Sequence, residues 1–146
     1  MTTAETDNAI VTQQAQTLVT TGMDSWGRAN VINALARIPV GDRVDVVQHV
    51  RALVTADMDG ADRAWVIDAL AKIPTDERAE FVTQAQELMT ADMDGWGRAT
   101  VIEELAKIPA DERAEFATHV LAFMTARMDG WDRVNTIVAL VKVKIQ

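Results

Sequence analysis

The hexapeptide Met93-Asp-Gly-Trp-Gly-Arg98 occurs in four versions at a fixed spacing, and this repetition is the main clue to the architecture. An Ile-Pro pair follows in the same register at residues 38–39, 73–74 and 108–109. The other versions of the hexapeptide are Met23-Asp-Ser-Trp-Gly-Arg28, Met58-Asp-Gly-Ala-Asp-Arg63 and Met128-Asp-Gly-Trp-Asp-Arg133, each beginning 35 residues after the one before. A constant period of this size predicts stacked structural repeats.

Each repeat contains two predicted helices, A and B. The aspartate of the hexapeptide is the predicted N-cap of helix A, because a short carboxylate accepts from the free amides of the first turn. These N-caps are Asp24, Asp59, Asp94 and Asp129. Helix A ends before Pro39, Pro74 and Pro109, since proline cannot continue a helix. Helix B follows with apolar residues at helical spacing, for example Phe81, Val82, Ala85 and Leu88.

These short connections predict antiparallel helix pairs. We therefore expect an all-α fold, a right-handed α-solenoid with a 35-residue repeat and about eight helices. It forms one domain, 1–146, with units near 5–38, 40–73, 75–108 and 110–146. The period is similar to that of tetratricopeptide and pentatricopeptide arrays, but their Trp-x-x-Leu-Gly-x-x-Tyr signature is missing because the chain has no Tyr.

The composition narrows the classes of function. The chain has no Cys, so a thiolate metal site and a cysteine nucleophile are excluded. Its formal charge of -8 disfavours a nucleic-acid partner. His49 and His119 occupy one repeat position two units apart and cannot share a metal ion, so we expect no metal and no cofactor. The N-terminus does not resemble a secretory signal and the apolar run 134–145 is too short to span a membrane, which predicts a cytoplasmic protein.

Positions that vary between the four copies are free of the packing constraints of the repeat. On helix A they share one face, which we call the helix-A surface. Its central series is Asn30, Trp65, Thr100 and Asn135. A Trp also stands at 26, 96 and 131, where the second repeat has Ala61. Trp26, Trp96 and Trp131 form either a row of binding platforms or packing between repeats, and we favour packing for these three and binding for Trp65.

Two series of arginines repeat with the same period. The helix-A arginines are Arg28, Arg63, Arg98 and Arg133, and the helix-B arginines are Arg43, Arg78 and Arg113. Either series could bind an acidic peptide or a phosphate backbone. Alternatively, each arginine pairs with a repeated acid, such as Asp42, Glu77, Glu112 or the N-cap aspartates, and braces one repeat against the next. We favour bracing, because the arginines recur in every copy.

No catalytic motif occurs, and the carboxylates fall at predicted caps and solvated faces. The predicted function is a non-enzymatic scaffold that binds a peptide or protein on the helix-A surface. The alternative is a nucleic-acid-binding repeat that reads one base with each varying residue.

The last helix A is more apolar than its counterparts, with Val134, Val138 and Val141 spread around it. Three explanations remain open: a homodimer formed through this edge, a partner docked on it, or inward packing that hides the valines. We expect a homodimer, since closed two-fold association is the commonest arrangement for a self-complementary patch.

Overall fold

The computed structural model describes the backbone of residues 3–146 and the side chains of residues 9–146. Within that part of the chain there are eight α-helices and no strands. Residues 1 and 2 of the predicted domain lie outside the described residues. The helices are α1 (Thr3–Gln16), α2 (Ser25–Ala36), α3 (Val40–Leu53), α4 (Gly60–Ala71), α5 (Arg78–Leu88), α6 (Gly95–Ala106), α7 (Arg113–Phe123) and α8 (Gly130–Ile145).

The even-numbered helices begin at the predicted N-caps. Asp24 and Asp94 accept hydrogen bonds from the backbone amides of Gly27 and Gly97, both at 2.7 Å. Asp59 and Asp129 accept in the same way from the third residue of their helices. Each cap satisfies one amide that the helix itself leaves unbonded. The four N-caps predicted from the sequence are therefore confirmed.

The predicted helix ends are close to those observed, with one difference at the start of helix B. Helices α2, α4 and α6 end three residues before their prolines. Pro39 then leads directly into α3, whereas short 3-10 turns at Thr75–Glu77 and Ala110–Glu112 precede α5 and α7. The acidic residues Asp76, Glu77, Asp111 and Glu112 lie in these turns.

The helices pack in two rows. Helix α2 packs on α4, α4 on α6 and α6 on α8, while α3, α5 and α7 form a second row beside them. Leucine and isoleucine side chains between the rows are fully buried, among them Leu35, Leu70, Leu105 and Ile137. This packing of helix pairs is that of a helical bundle or a repeat array. No helix within residues 3–146 has the length and apolar character needed to cross a membrane.

The valines of the last helix are less exposed than the sequence predicted. Val134 and Val141 are fully buried and Val138 is partly buried against the core. Val134 packs on α6, because its Cγ2 atom lies 3.1 Å from the point where Gly97 would carry a methyl group, and its equivalents Ala64 and Ala99 are buried too. The prediction that Val134 and Val141 form an exposed dimer edge was wrong, and the inward-packed alternative describes these two valines.

Close contact between neighbouring even-numbered helices depends on glycine. A methyl group built on Gly60 would lie 2.3 Å from the Cα atom of Gly27 and 2.4 Å from its carbonyl oxygen. Both atoms belong to the backbone, so they cannot move aside as a side chain can. The starts of α2 and α4 therefore touch through their main chains. The sequence contained this signal, since the same position is Gly95 and Gly130 in later repeats, but we had given it no role.

We predict that Gly60→Ala lowers the free energy of unfolding by about 1–3 kcal/mol, because the added methyl group forces α2 and α4 apart. Gly41→Ala is the matched control, since no atom lies within 4 Å of the added group. In helix α3 it removes backbone freedom from the unfolded chain and should raise the free energy of unfolding by about 0.5–1 kcal/mol. Urea unfolding followed by circular dichroism measures both. Equal stability of the Gly60→Ala variant and the wild type would contradict this packing.

Candidate functional site

Trp65 lines a cleft between α4 and α6. The cleft has a volume of about 290 Å³. The Trp65 side chain is partly buried and packs against the core. Residues of α6 line the same cleft, and the binding role of Trp65 stays a prediction. Other residues of the cleft include Asp68, Lys72, Ile73, Pro74, Glu103, Ala106, Lys107 and Arg113.

The other three tryptophans are more exposed than Trp65. Trp26, Trp96 and Trp131 have exposed fractions of 67%, 41% and 60%. The rings of Trp96 and Trp131 stack, with 5.3 Å between centroids and 27° between planes. Packing between repeats therefore accounts for part of the Trp96 and Trp131 surface and leaves one face of the pair open. Trp26 has no such neighbour, because the next repeat has Ala61 at the equivalent position.

The remaining members of the central helix-A series do not form one exposed row. Thr100 is buried, and its hydroxyl donates to the Trp96 carbonyl at 2.8 Å. Asn30 is partly buried, with a buried amide nitrogen that has no hydrogen-bond partner among the described residues. Asn135 is exposed. Thr100 therefore offers little surface to a partner, and its predicted binding role stays a prediction.

The helix-A arginines bind the loops that precede their helices. Arg28 donates from Nε to the Met23 carbonyl at 3.0 Å and from Nη2 to the Thr20 carbonyl at 3.0 Å. The same two bonds join Arg63 to residues 58 and 55, Arg98 to residues 93 and 90, and Arg133 to residues 128 and 125. These arginines therefore have a structural role, but the predicted bracing through acids was wrong for them, because these bonds go to carbonyl oxygens five and eight residues earlier in the same repeat.

The helix-B arginines join neighbouring repeats. Arg78 is 1% exposed and donates from Nη1 and Nη2 to the two carboxylate oxygens of Asp42, at 2.7 and 2.6 Å. Its Nη1 also donates to Asp45 at 2.9 Å, and its Nε donates to the Leu70 carbonyl at 3.0 Å. Asp42 and Arg78 are 36 residues apart, so the pair connects α3 with α5. The predicted pairing with repeated acids is confirmed here.

The same connection continues along the row of odd-numbered helices. Arg113 donates to the Glu77 carboxylate at 3.3 Å, and its guanidinium lies 5.0 Å from the centroid of the Phe81 ring. For Glu112 the partner is Lys144 of α8, at 2.7 Å. Lys144 of α8 thus pairs with Glu112 as Arg113 of α7 pairs with Glu77.

We predict that Asp42→Asn lowers the free energy of unfolding by about 1–3 kcal/mol, because buried Arg78 loses a charged acceptor. The matched control is Asp68→Asn, since Asp68 also joins two repeats through an arginine, Arg37, but that guanidinium is exposed. The control should change stability by about 0.5 kcal/mol or less. Denaturant unfolding of the two variants makes the comparison. Equal effects would mean that burial does not strengthen the Asp42–Arg78 pair.

The same pair predicts how stability depends on pH. The hydrogen bond from Arg78 lowers the pKa of Asp42 below its ordinary value of 3.8. A carboxyl group with a lowered pKa binds protons more weakly in the folded state, so its contribution is complete above the ordinary pKa and disappears as the pH falls through the lowered one. The stability difference between wild type and Asp42→Asn should therefore be constant at neutral pH and shrink below about pH 4. Chemical unfolding across that range measures it.

A second cleft, of about 460 Å³, lies at the outer face of α8, and the sequence analysis missed it. Phe123, Met128, Asn135, Ala139 and Leu140 are among its lining residues. Phe123 is 60% exposed, whereas Leu88, at the equivalent position of the preceding repeat, is 3% exposed. Comparing the last repeat with the inner ones would have identified this surface from the sequence.

Among the described side chains, no group of three or more histidines and acids has a geometry that could hold a metal ion. His119 is exposed, while His49 is partly buried with Nδ1 at 2.9 Å from the Asp45 carbonyl oxygen. The chain matches no protein-family model, no curated protein and no solved structure. Its function has to be argued from these surfaces alone.

Proposed function

We propose that this chain is a non-enzymatic right-handed α-solenoid scaffold that binds a peptide or protein segment on the helix-A surface. The observation that carries the proposal is the cleft at Trp65. It lies between α4 and α6, and its residues Trp65, Asp68 and Glu103 differ from their equivalents in other repeats, whereas most of its other lining residues recur. A Trp in such a cleft gives a large contact area and loses little conformational entropy on binding.

The walls of the Trp65 cleft suit an amphipathic segment. Its apolar part contains Trp65, Ile73 and Pro74, and Ala106 lies on the α6 side. Both signs of charge surround it, since Asp68 and Glu103 stand near Lys72 and Lys107. Apolar centres with charged rims are typical of interfaces that bind another protein. The charges restrict the orientation of the segment, while the apolar centre contributes most of the affinity.

The repeated polar side chains support a binding role over a catalytic one. The N-cap aspartates bind backbone amides, and the helix-A arginines bind loop carbonyls. The same bonds weaken the nucleic-acid alternative, because these arginines would have to leave the loops before they could contact phosphates. The net charge of -8 also disfavours binding to nucleic acid.

We predict that Trp65→Ala abolishes peptide binding while lowering the free energy of unfolding by only about 1–2 kcal/mol, because the side chain is partly exposed. A displayed library of random peptides is selected on the wild-type chain, and the enriched peptides are measured by fluorescence anisotropy. Trp26→Ala is the control, since Trp26 lies outside the cleft. A stability loss of about 3–5 kcal/mol would mark Trp65 as a core residue. Selection of the same peptides by Trp65→Ala would refute the site.

We further propose that the outer face of α8 mediates a homodimer. The apolar part of this face contains Phe123, Leu140 and Ala139, and it replaces the valine edge expected from the sequence. In the inner repeats the equivalents of Phe123 and Leu140 are Leu88 and Leu105, both buried by the helices that follow. A face built from such positions is complementary in size to another helical repeat. A second copy of this chain offers the same face in a two-fold arrangement.

We predict that sedimentation at micromolar concentration reports a dimer, and that Phe123→Glu and Leu140→Glu convert it to a monomer with unchanged helix content. The charges would be buried without partners in the dimer, which opposes association. Val44→Glu is the control, because Val44 is also an exposed apolar residue but lies on α3. A wild-type monomer at high micromolar concentration would contradict the dimer.

A further inference from the structure

The stacked tryptophans at the starts of α6 and α8 line a separate cleft of about 220 Å³. Trp96 and Trp131 form one side of it, and Gly97, Gly130 and Val134 also line it. It lies at the opposite end of α6 from the Trp65 cleft, about 15 Å away along the helix axis. Gly97 and Gly130 are buried, and a side chain on either would meet neighbouring protein atoms, so these glycines let α6 and α8 approach closely and bring the two indoles together.

Three carboxylates line the same cleft, and each is held in place by the backbone. Asp94 and Asp129 use Oδ1 as N-caps, at 2.7 Å from the Gly97 amide and 2.8 Å from the Asp132 amide. Their Oδ2 atoms have no hydrogen-bond partner among the described residues. Asp92 accepts from the Thr90 hydroxyl and, at 2.8 Å, from the Gly130 amide. The Thr90 hydrogen bond lowers the pKa of Asp92 and keeps it ionised.

The cleft is negative even after nearby positive groups are considered. Arg133 lies close enough to Asp92 to contribute to its lowered pKa. The N-termini of α6 and α8 each add about half a positive charge. Arg133 and the two helix N-termini together do not balance the three carboxylates. A cation is therefore the ligand whose charge complements this surface.

We propose that the Trp96–Trp131 cleft binds an arginine side chain of a basic protein segment. The planar guanidinium stacks on the open face of the indole pair and donates hydrogen bonds to the free oxygens of Asp94 and Asp129. An arginine suits the site better than a lysine, because its flat group stacks on an aromatic ring and presents several donors in one plane. This inference does not depend on the Trp65 cleft.

The chain contains its own comparison for this site. A cleft at the starts of α2 and α4 has Asp24 and Asp59 in the places of Asp94 and Asp129. It lacks the indole pair, because Ala61 stands where the second Trp would be. The earlier cleft thus repeats two of the three acids, since Gly22 stands in the place of Asp92, and a stacked Trp pair occurs once among the described repeats. We expect one arginine site for each chain.

The test uses the full chain and a short Gly/Ser peptide that contains one arginine, followed by calorimetry and Trp fluorescence. The same peptide with citrulline, which has the arginine shape without its charge, should bind at least about tenfold more weakly. Trp131→Ala should weaken binding at least about fivefold, and Trp26→Ala should leave it unchanged. Asp94→Asn and Asp129→Asn should each weaken it several-fold, while the helices persist because Asn caps as well as Asp.

Each contrary result overturns the inference. Equal binding of the citrulline peptide removes the role of charge. Equal losses in Trp26→Ala and Trp131→Ala mean that any exposed indole is sufficient. No heat and no fluorescence change at about 10 mM peptide mean that the cleft does not bind arginine. Trp65→Ala should retain arginine binding, so failure of this inference is distinguishable from failure of the Trp65 cleft.

Discussion

An arginine in the first turn of every even-numbered helix donates hydrogen bonds to two carbonyl oxygens of the preceding loop. The geometry of the helix pairs depends on these bonds. Most helices here have only 11–14 residues, so a large share of their backbone groups lies at helix ends without a partner in the helix. A connecting loop packed between helices has the same difficulty, since buried carbonyls need donors. Arginine supplies several donors from one side chain and keeps its charge at neutral pH. Arg63 extends this role, because its Nη1 also donates to the Leu18 carbonyl of the preceding repeat at 3.1 Å.

The contacts between repeats combine charge with close backbone approach. Along the odd-numbered helices, acids of one repeat pair with Arg78 and Arg113 of the next, and the buried position of these guanidinium groups makes the pairing obligatory. Along the even-numbered helices, Gly27 and Gly60 let two backbones touch. Neither contact tolerates a shifted register, since a slip of one residue would separate the ion pairs and bring a methyl group into the helix contact. The acid surplus of the chain has a structural origin in part, because N-caps and ion pairs both require carboxylates.

The surfaces with proposed functions are those that these constraints leave free. The Trp65 cleft and the Trp96–Trp131 cleft lie at opposite ends of α6, and both include residues that differ between repeats. In the Trp96–Trp131 cleft, Asp94 and Asp129 each serve as an N-cap through one carboxylate oxygen and face solvent with the other. The same residues therefore maintain the helices and give the cleft its charge. The outer face of α8 differs in kind, since its residues hold positions that are buried in the inner repeats.

The helices, their N-caps and their ends could be predicted from the sequence, because they depend on interactions within a few residues. The bond from Asp94 to the Gly97 amide and the stop before Pro109 need no distant partner. It also indicated that the arginines have structural partners, since they recur in every copy. Side-chain exposure follows from the packing of the helices, because it depends on the neighbouring helix. Trp65 is partly buried in the cleft between α4 and α6, and Val134 and Val141 are buried in the core. The stacking of Trp96 on Trp131 depends on the distance between α6 and α8, which the 35-residue period of the sequence does not specify.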